Sequence, residues 1–184
     1  MITRIEAYRY RCFERLTLDL GPYQVLVGRN GAGKSTLLDI PVLLGDMIEQ
    51  RSIEKAFFGE RGRLAPRAAS ASDLVFAGRG DWFALAVEVR LPDFLVDQLG
   101  RKSAEYLTKK EQAARQKNPL RAPGILRYEL SFSTATGAIA ISQENLYLLP
   151  IDRALVDGVP EGLWSNFEFT DTELVRAIIT RSSS

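Results

Sequence analysis

The sequence predicts a mixed α/β fold in which a largely antiparallel sheet flanks one amphipathic helix. Three observations carry that prediction. The chain opens with two alternating segments, residues 2–13 and 16–20. A glycine-rich stretch, Gly28-Arg29-Asn30-Gly31-Ala32-Gly33-Lys34-Ser35-Thr36, lies between an apolar run and a helical pattern. Three further strand-like runs follow at 82–91, 125–134 and 138–149.

In chain order, Ile2 to Tyr10 alternates and is read as a strand continuing through Phe13. Leu16-Thr17-Leu18-Asp19-Leu20 is the next strand, and Gly21-Pro22 marks a turn. Tyr23-Gln24-Val25-Leu26-Val27 is a short apolar run that reads as a buried strand. A helix is expected from Lys34 to Gln50, with an apolar face built from Leu37, Leu38, Val42, Leu43, Leu44, Met47 and Ile48. Pro41 inside it removes one hydrogen bond, so a kink is expected there.

Glycines, Pro66 and four arginines (Arg61, Arg63, Arg67, Arg79) make residues 51–80 loop-rich. Within them, Asp73 to Ala77 reads as a short strand or a helical turn. Pro92 ends the 82–91 strand, and a helical pattern runs from Asp93 to Lys117, with Gly100 as its expected break. Gly137 is the turn of a hairpin between the last two strand runs. The tail holds a turn at Asp157-Gly158, then Trp164, Phe167 and Phe169. A short helix is expected from Asp171 to Thr180, capped by Thr170 or Asp171, and a frayed end at 181–184.

A chain of 184 residues makes one domain or one part of a larger one. With 46% hydrophobic and 26% charged residues it has material for a core and an ordinary polar surface. Histidine is absent and Cys12 is the one cysteine. Histidine general bases, serine–histidine triads and most zinc sites are therefore excluded. Met1 to Glu6 already alternates as a strand, and no uncharged apolar run approaches membrane-spanning length. The expected location is the cytoplasm, with no membrane partner. Residues 100–127 carry eight Lys or Arg against two Glu, whereas 128–184 carry three Arg against eight acids. The basic segment is either a nucleic-acid footprint or a solvated helix face.

Residues 28–36 have the form G-x-x-x-x-G-K-[ST], and the strand–loop–helix context is what that motif requires. The glycines let backbone N–H groups close around a phosphate chain, and the helix N-terminus adds partial positive charge. Lys34 would reach the β- and γ-phosphates and act as the catalytic cation, and the Ser35 hydroxyl would ligate Mg²⁺. Gly28, Arg29, Asn30, Gly31, Ala32, Gly33, Lys34, Ser35 and Thr36 together form the expected nucleotide-phosphate site.

Tyr10-Arg11-Cys12-Phe13, the second strand and the loop with Leu37-Leu38-Asp39 resemble the N-terminal lobe of ABC-type (AAA-family) ATP-binding proteins. The similarity is to the branch holding structural-maintenance-of-chromosomes, RecF-like and overcoming-lysogenization-defect (OLD) proteins. There an aromatic-basic-x-Phe element precedes a G-x-N-G-x-G-K-S loop. Ile141-Ser142-Gln143-Glu144-Asn145-Leu146 is similar to a strand-plus-Glu segment of the OLD-like subgroup. The resemblance implies ATP and Mg²⁺ as cofactors, with Arg11 and Phe13 beside the nucleotide. It also implies head-to-head dimers sandwiching ATP, DNA repair or phage-defence biology, and Gln143 as a coupling residue at the metal. Arg29 stands where a proline is usual.

The strand ending in Asp-Glu, the Leu-Ser-Gly-Gly signature and the switch histidine of that family have no counterpart in the sequence. Ala154-Leu155-Val156-Asp157-Gly158 lacks the glutamate, and Ala177-Ile178-Ile179-Thr180 ends in Arg181. Three readings stay open. One is a P-loop ATPase part, 1–184, with a helical basic insertion at 93–124 and a complementary half elsewhere. The second is a non-hydrolysing nucleotide-binding or DNA-associated module, with DNA met through 101–127. The third is a small P-loop kinase with Arg61–Arg67 as a lid.

Overall fold

The computed structural model describes residues 1–49, 52–60, 65–156 and 176–182. Six strands form one sheet: β1 (Ile2–Tyr10), β2 (Phe13–Asp19), β3 (Trp82–Arg90), β4 (Pro123–Ser133), β5 (Ala140–Pro150) and β6 (Arg176–Ser182). Their spatial order is β2-β1-β3-β4-β5-β6, and every pairing is antiparallel. The helices are α1 (Lys34–Glu49), α2 (Ile53–Phe58), α3 (Asp93–Ala104) and α4 (Lys109–Lys117). The mixed α/β class and the antiparallel sheet agree with the reading of the sequence.

The registers assign the two faces of the sheet. Ile5 sits opposite Val87, which sits opposite Tyr128; Ala7 aligns likewise with Leu85 and Leu130. On this face Leu37, Ile40, Leu43 and Leu44 of α1 join Phe83, Leu85, Leu130 and Phe132 in the main core. Phe57 of α2 stands edge-on to both Phe83 and Phe132, with centroids 5.9 and 5.4 Å away. Edge-to-face and stacked rings at such separations add about 0.5–1.5 kcal/mol per pair beyond area burial. Buried Arg67 ties α1 to this layer: its Nε donates to Asp39 at 2.7 Å, and its NH2 pairs with Asp46 at 2.7 Å.

One residue out of phase, the same strands point the other way. Arg4, Glu88 and Arg127 align, as do Glu6, Ala86, Glu129 and Asn145. This face carries a buried ionic network. Arg127 is fully buried and donates to Glu6, Glu88 and Glu129, while Arg153 reaches Glu88 at 3.0 Å. Burial alone would lower the Arg127 pKa; the hydrogen bond to Glu6 and the three carboxylate charges raise it instead. Burial would raise Glu6, but bonds from Arg127 and Arg4 hold it below the usual carboxylate range. Glu129, buried more deeply in effect, is raised by desolvation despite Arg127.

Several expectations are corrected. The first strand stops at Tyr10; Arg11 takes φ 53° and the chain turns, so Phe13 begins β2 and does not end β1. Residues 23–27 form no strand: Tyr23, Val25 and Val27 are 96%, 84% and 90% exposed. A strand exists only through backbone bonds to a neighbour, and none of the described residues pairs with this segment. The expected helix is present as α1, with Pro41 inside it.

Residues 71–74 and 76–78 make 3₁₀ turns with a single bridge between Tyr10 and Val75. Gly100 lies inside α3, and the break falls at 105–108, where Thr108 caps α4 through a reciprocal pair with Glu111. The expected helix at 171–180 and the frayed end are replaced, over the described residues, by β6, which pairs along β5. β-branched Ile178, Ile179 and Thr180 suit a pleated surface better than a helix. Trp164, Phe167, Phe169, Thr170, Asp171, the Asp157-Gly158 turn, Arg61 and Arg63 lie outside the described residues. Among the described residues no helix is long and apolar enough to cross a membrane.

Candidate phosphate-loop site

Three local devices shape the loop at the start of α1. Gly31 and Gly33 have φ of +82° and +89°, a region that side chains with a Cβ enter at a cost. The Ala32 N–H donates to the Arg29 carbonyl at 3.2 Å, closing a turn. The Leu37 N–H donates to Gly33 at 2.8 Å, which starts the helix and leaves the preceding N–H groups without intrahelical partners. Lys34 then folds over the loop, its Nζ donating to the Gly28 and Arg29 carbonyls at 2.6 and 2.8 Å. An ammonium has three N–H bonds, so the third remains for an anion.

The hairpin turn between β1 and β2 is the second wall. A Cβ at Gly33 would lie 2.7 Å from Phe13 Cζ and 2.8 Å from Cys12 Sγ, so the turn rests directly on the loop. A third wall comes from the 3₁₀ turn Ala71–Leu74. The Arg11 N–H donates to the Leu74 carbonyl at 2.8 Å, and buried Tyr10 bridges Val75. Burial pushes the Tyr10 hydroxyl up to about 12, so it is neutral at physiological pH.

Together these walls enclose an open cleft of about 520 Å³ lined by Arg11, Cys12, Asn30, Gly31, Gly33, Lys34, Ser35, Thr36 and Asp73. The loop N–H groups, two cations and two hydroxyls converge there, a donor set suited to a phosphate chain with its metal. Ser35 and Thr36, the first residues behind Lys34 on α1, are the hydroxyls that could hold Mg²⁺ on that chain.

The structure brings most of the sequence-predicted residues to one place. Asn30, Gly31, Gly33, Lys34, Ser35, Thr36 and Arg11 line the cleft. Phe13 supports Gly33 from beneath, and Gly28 and Arg29 contribute the carbonyls that hold Lys34. Ala32 serves through its place in the turn. Gln143 is not brought there: it sits on β5, paired with Ser131 and Ser182. With β3 and β4 between β5 and β1, strand spacing alone separates Gln143 from β1 by roughly 14 Å. Arg67 cannot act as a lid, because it is buried between Asp39 and Asp46.

Two lining residues escaped the sequence reading, Cys12 and Asp73. The Ser70-x-x-Asp73 spacing was visible as a turn-capping pattern. Only the backbone bond from Arg11 to the neighbouring Leu74 ties that turn to the end of β1, beside the loop.

No protein-family model matches the chain. Among curated proteins, an OLD nuclease of Thermus scotoductus (strain ATCC 700910 / SA-01) is 46% identical over 48 residues, 26% of this chain and 9% of that protein. The match thus spans a small part of that relative's length. A solved structure described as "Structural biochemistry of ATP-driven dimerization and DNA stimulated activation of SMC ATPases" has a TM-score of 0.44 and 17% identity. It is matched over 80% of this chain and 68% of its own. What the comparisons give is a 48-residue stretch similar in sequence to part of an OLD nuclease.

Proposed function

We propose that the chain binds a Mg²⁺–nucleoside triphosphate, ATP by its resemblance, as the N-terminal part of an SMC/RecF/OLD-like ATPase. The observation that supports this best is the convergence of Lys34, Ser35, Thr36 and the left-handed glycines on one cleft. Lys34 and the loop N–H groups balance the charge of the β- and γ-phosphates, and the Ser35 hydroxyl meets the metal. Magnesium would supply charge neutralisation between the phosphate oxygens. In this reading residues 1–184 are one part of the ATPase and 93–124 a basic insertion in it. A complementary half, from a second copy or a further segment, supplies the acidic strand and the signature. DNA repair or phage defence is the setting the resemblance favours.

Lys34→Ala tests the reading. ATP affinity measured by calorimetry with Mg²⁺ should fall at least about 30-fold, the loss of roughly 2 kcal/mol from a charged hydrogen bond. Undiminished affinity would sink the proposal.

A non-hydrolysing module is the second reading. It is favoured by the cleft's lining, in which Asp73 is the one acidic residue among those described. Phosphate release from the 184-residue chain separates the two. Turnover at background fits a part that needs its complement or a pure binder, and turnover well above background removes the pure binder.

A further inference from the structure

Of the charged groups lining the cleft among the described residues, Arg11 and Lys34 suit a phosphate chain and one carboxylate does not. Asp73 lines the same cleft as a loop suited to anions. A carboxylate there repels a phosphate chain, so its presence has to be explained by something other than phosphate binding.

Its geometry is fixed. Asp73 Oδ2 accepts from both the N–H and the hydroxyl of Ser70, each at 2.9 Å. Its own N–H donates to the Ser70 carbonyl at 3.2 Å. The next residue, Leu74, is buried and bonded to Arg11, so the turn cannot drift from the end of β1. Oδ2 is occupied by the turn, and Oδ1 is the oxygen left to a ligand. The carboxylate is exposed but held, which is how a group that reads a ligand is built.

The cleft, about 520 Å³, has room for more than a phosphate chain. Arg11, Cys12 and Asp73 line it together with Asn30, Gly31, Gly33, Lys34, Ser35 and Thr36. With the phosphates on the loop, the nucleoside end of the same molecule is the part that carries neutral N–H and O–H donors.

We propose that Asp73 reads the nucleoside: its free carboxylate oxygen accepts a hydrogen bond from a neutral donor there, a base amino group or a ribose hydroxyl. Asp73 thereby selects among triphosphates that the loop binds alike. This inference rests on the phosphate-loop reading above and adds the residue that sets specificity. A site that presents a fixed acceptor rejects a ligand lacking the matching donor, because the acceptor is then left without its partner.

The test is a set of affinities for the 184-residue chain with Mg²⁺, using ATP, dATP, purine riboside triphosphate and inorganic tripolyphosphate. The wild type should bind ATP about tenfold or more tighter than one of the two nucleotide analogues, the worth of a hydrogen bond to a charged acceptor. The analogue that loses affinity identifies the donor. Asp73→Ala should bring that ratio to about one while tripolyphosphate binding is kept. Ser70→Ala, which loses one anchor but keeps the carboxylate, should keep most of the preference and controls for damage to the turn.

An Asp73→Ala chain with wild-type ratios for both analogues overturns the inference. So does one whose tripolyphosphate affinity falls as far as its ATP affinity, because the carboxylate would then serve the metal or the fold. Absence of all binding in the wild type would bring down the phosphate-loop reading itself. Loss of the nucleoside effect alone brings down only the role of Asp73.

Discussion

Gly33 answers to two constraints at once. Its φ of +89° is a conformation a Cβ penalises by about 1–2 kcal/mol. A Cβ there would also press on the Phe13 ring and the Cys12 sulfur, at 2.7 and 2.8 Å. Gly31 has only the first constraint, since nothing lies within 4 Å of its Cβ position. Gly33→Ala should therefore cost about 2 kcal/mol or more in urea unfolding, strain and overpacking together. It should also weaken ATP binding, because the turn or the loop must shift to make room. Gly31→Ala should cost less in stability. Equal losses at the two positions would show that the hairpin turn does not brace the loop. Part of this was legible in the residues: the motif marks both glycines. The motif does not reveal that Phe13, twenty positions earlier in the chain, is what closes on Gly33.

At the level of elements, the helices between β3 and β4 carry a charge pattern that local sequence fixed well. Thr108 and Glu111 make a capping box, and Arg115 and Lys117 sit in the last turn of α4, where the helix dipole favours them. Arg101, Lys102, Lys109, Lys110 and Lys117 are exposed, whereas Arg127, counted with them in the sequence, is buried among carboxylates. DNA contact, which we propose for this segment, would then use the five exposed cations of α3 and α4. Duplex affinity should fall steeply as salt rises, and Lys109→Glu with Lys110→Glu should weaken it and flatten the salt slope by about two counterions. Binding that ignores salt would end the DNA reading of these helices. The segment 23–27 teaches the opposite lesson. Its composition is that of a buried strand, yet strand formation is a contract between two backbones. No described residue holds the other side of it.

The whole sheet is held by different physics on its two faces. One face is a hydrocarbon and aromatic core against α1 and α2. On the other, Arg127 gathers Glu6 from β1, Glu88 from β3 and Glu129 from its own strand. Neutralising the cation alone leaves buried carboxylates without their partner. Arg127→Met should thus cost about 3–5 kcal/mol, read from the urea midpoint of the 184-residue chain. A loss under about 1 kcal/mol would mean that water or Arg153 replaces the guanidinium and that the network is not a closed one.

The sequence by itself determined the loop, the helix behind it and the antiparallel hairpins. Those features rest on interactions between residues a few positions apart, or on backbone geometry that glycine alone allows. Tertiary structure decided the rest. It joined Ile178, Ile179 and Thr180 to β5 as a strand, left 23–27 unpaired, buried Arg127, and brought Asp73 into the cleft that Lys34 lines. Each of these depends on which backbone edge or charge arrives from a distant part of the chain. Local pattern can state what a segment is fit for, but only the arrival of its partner settles what it becomes.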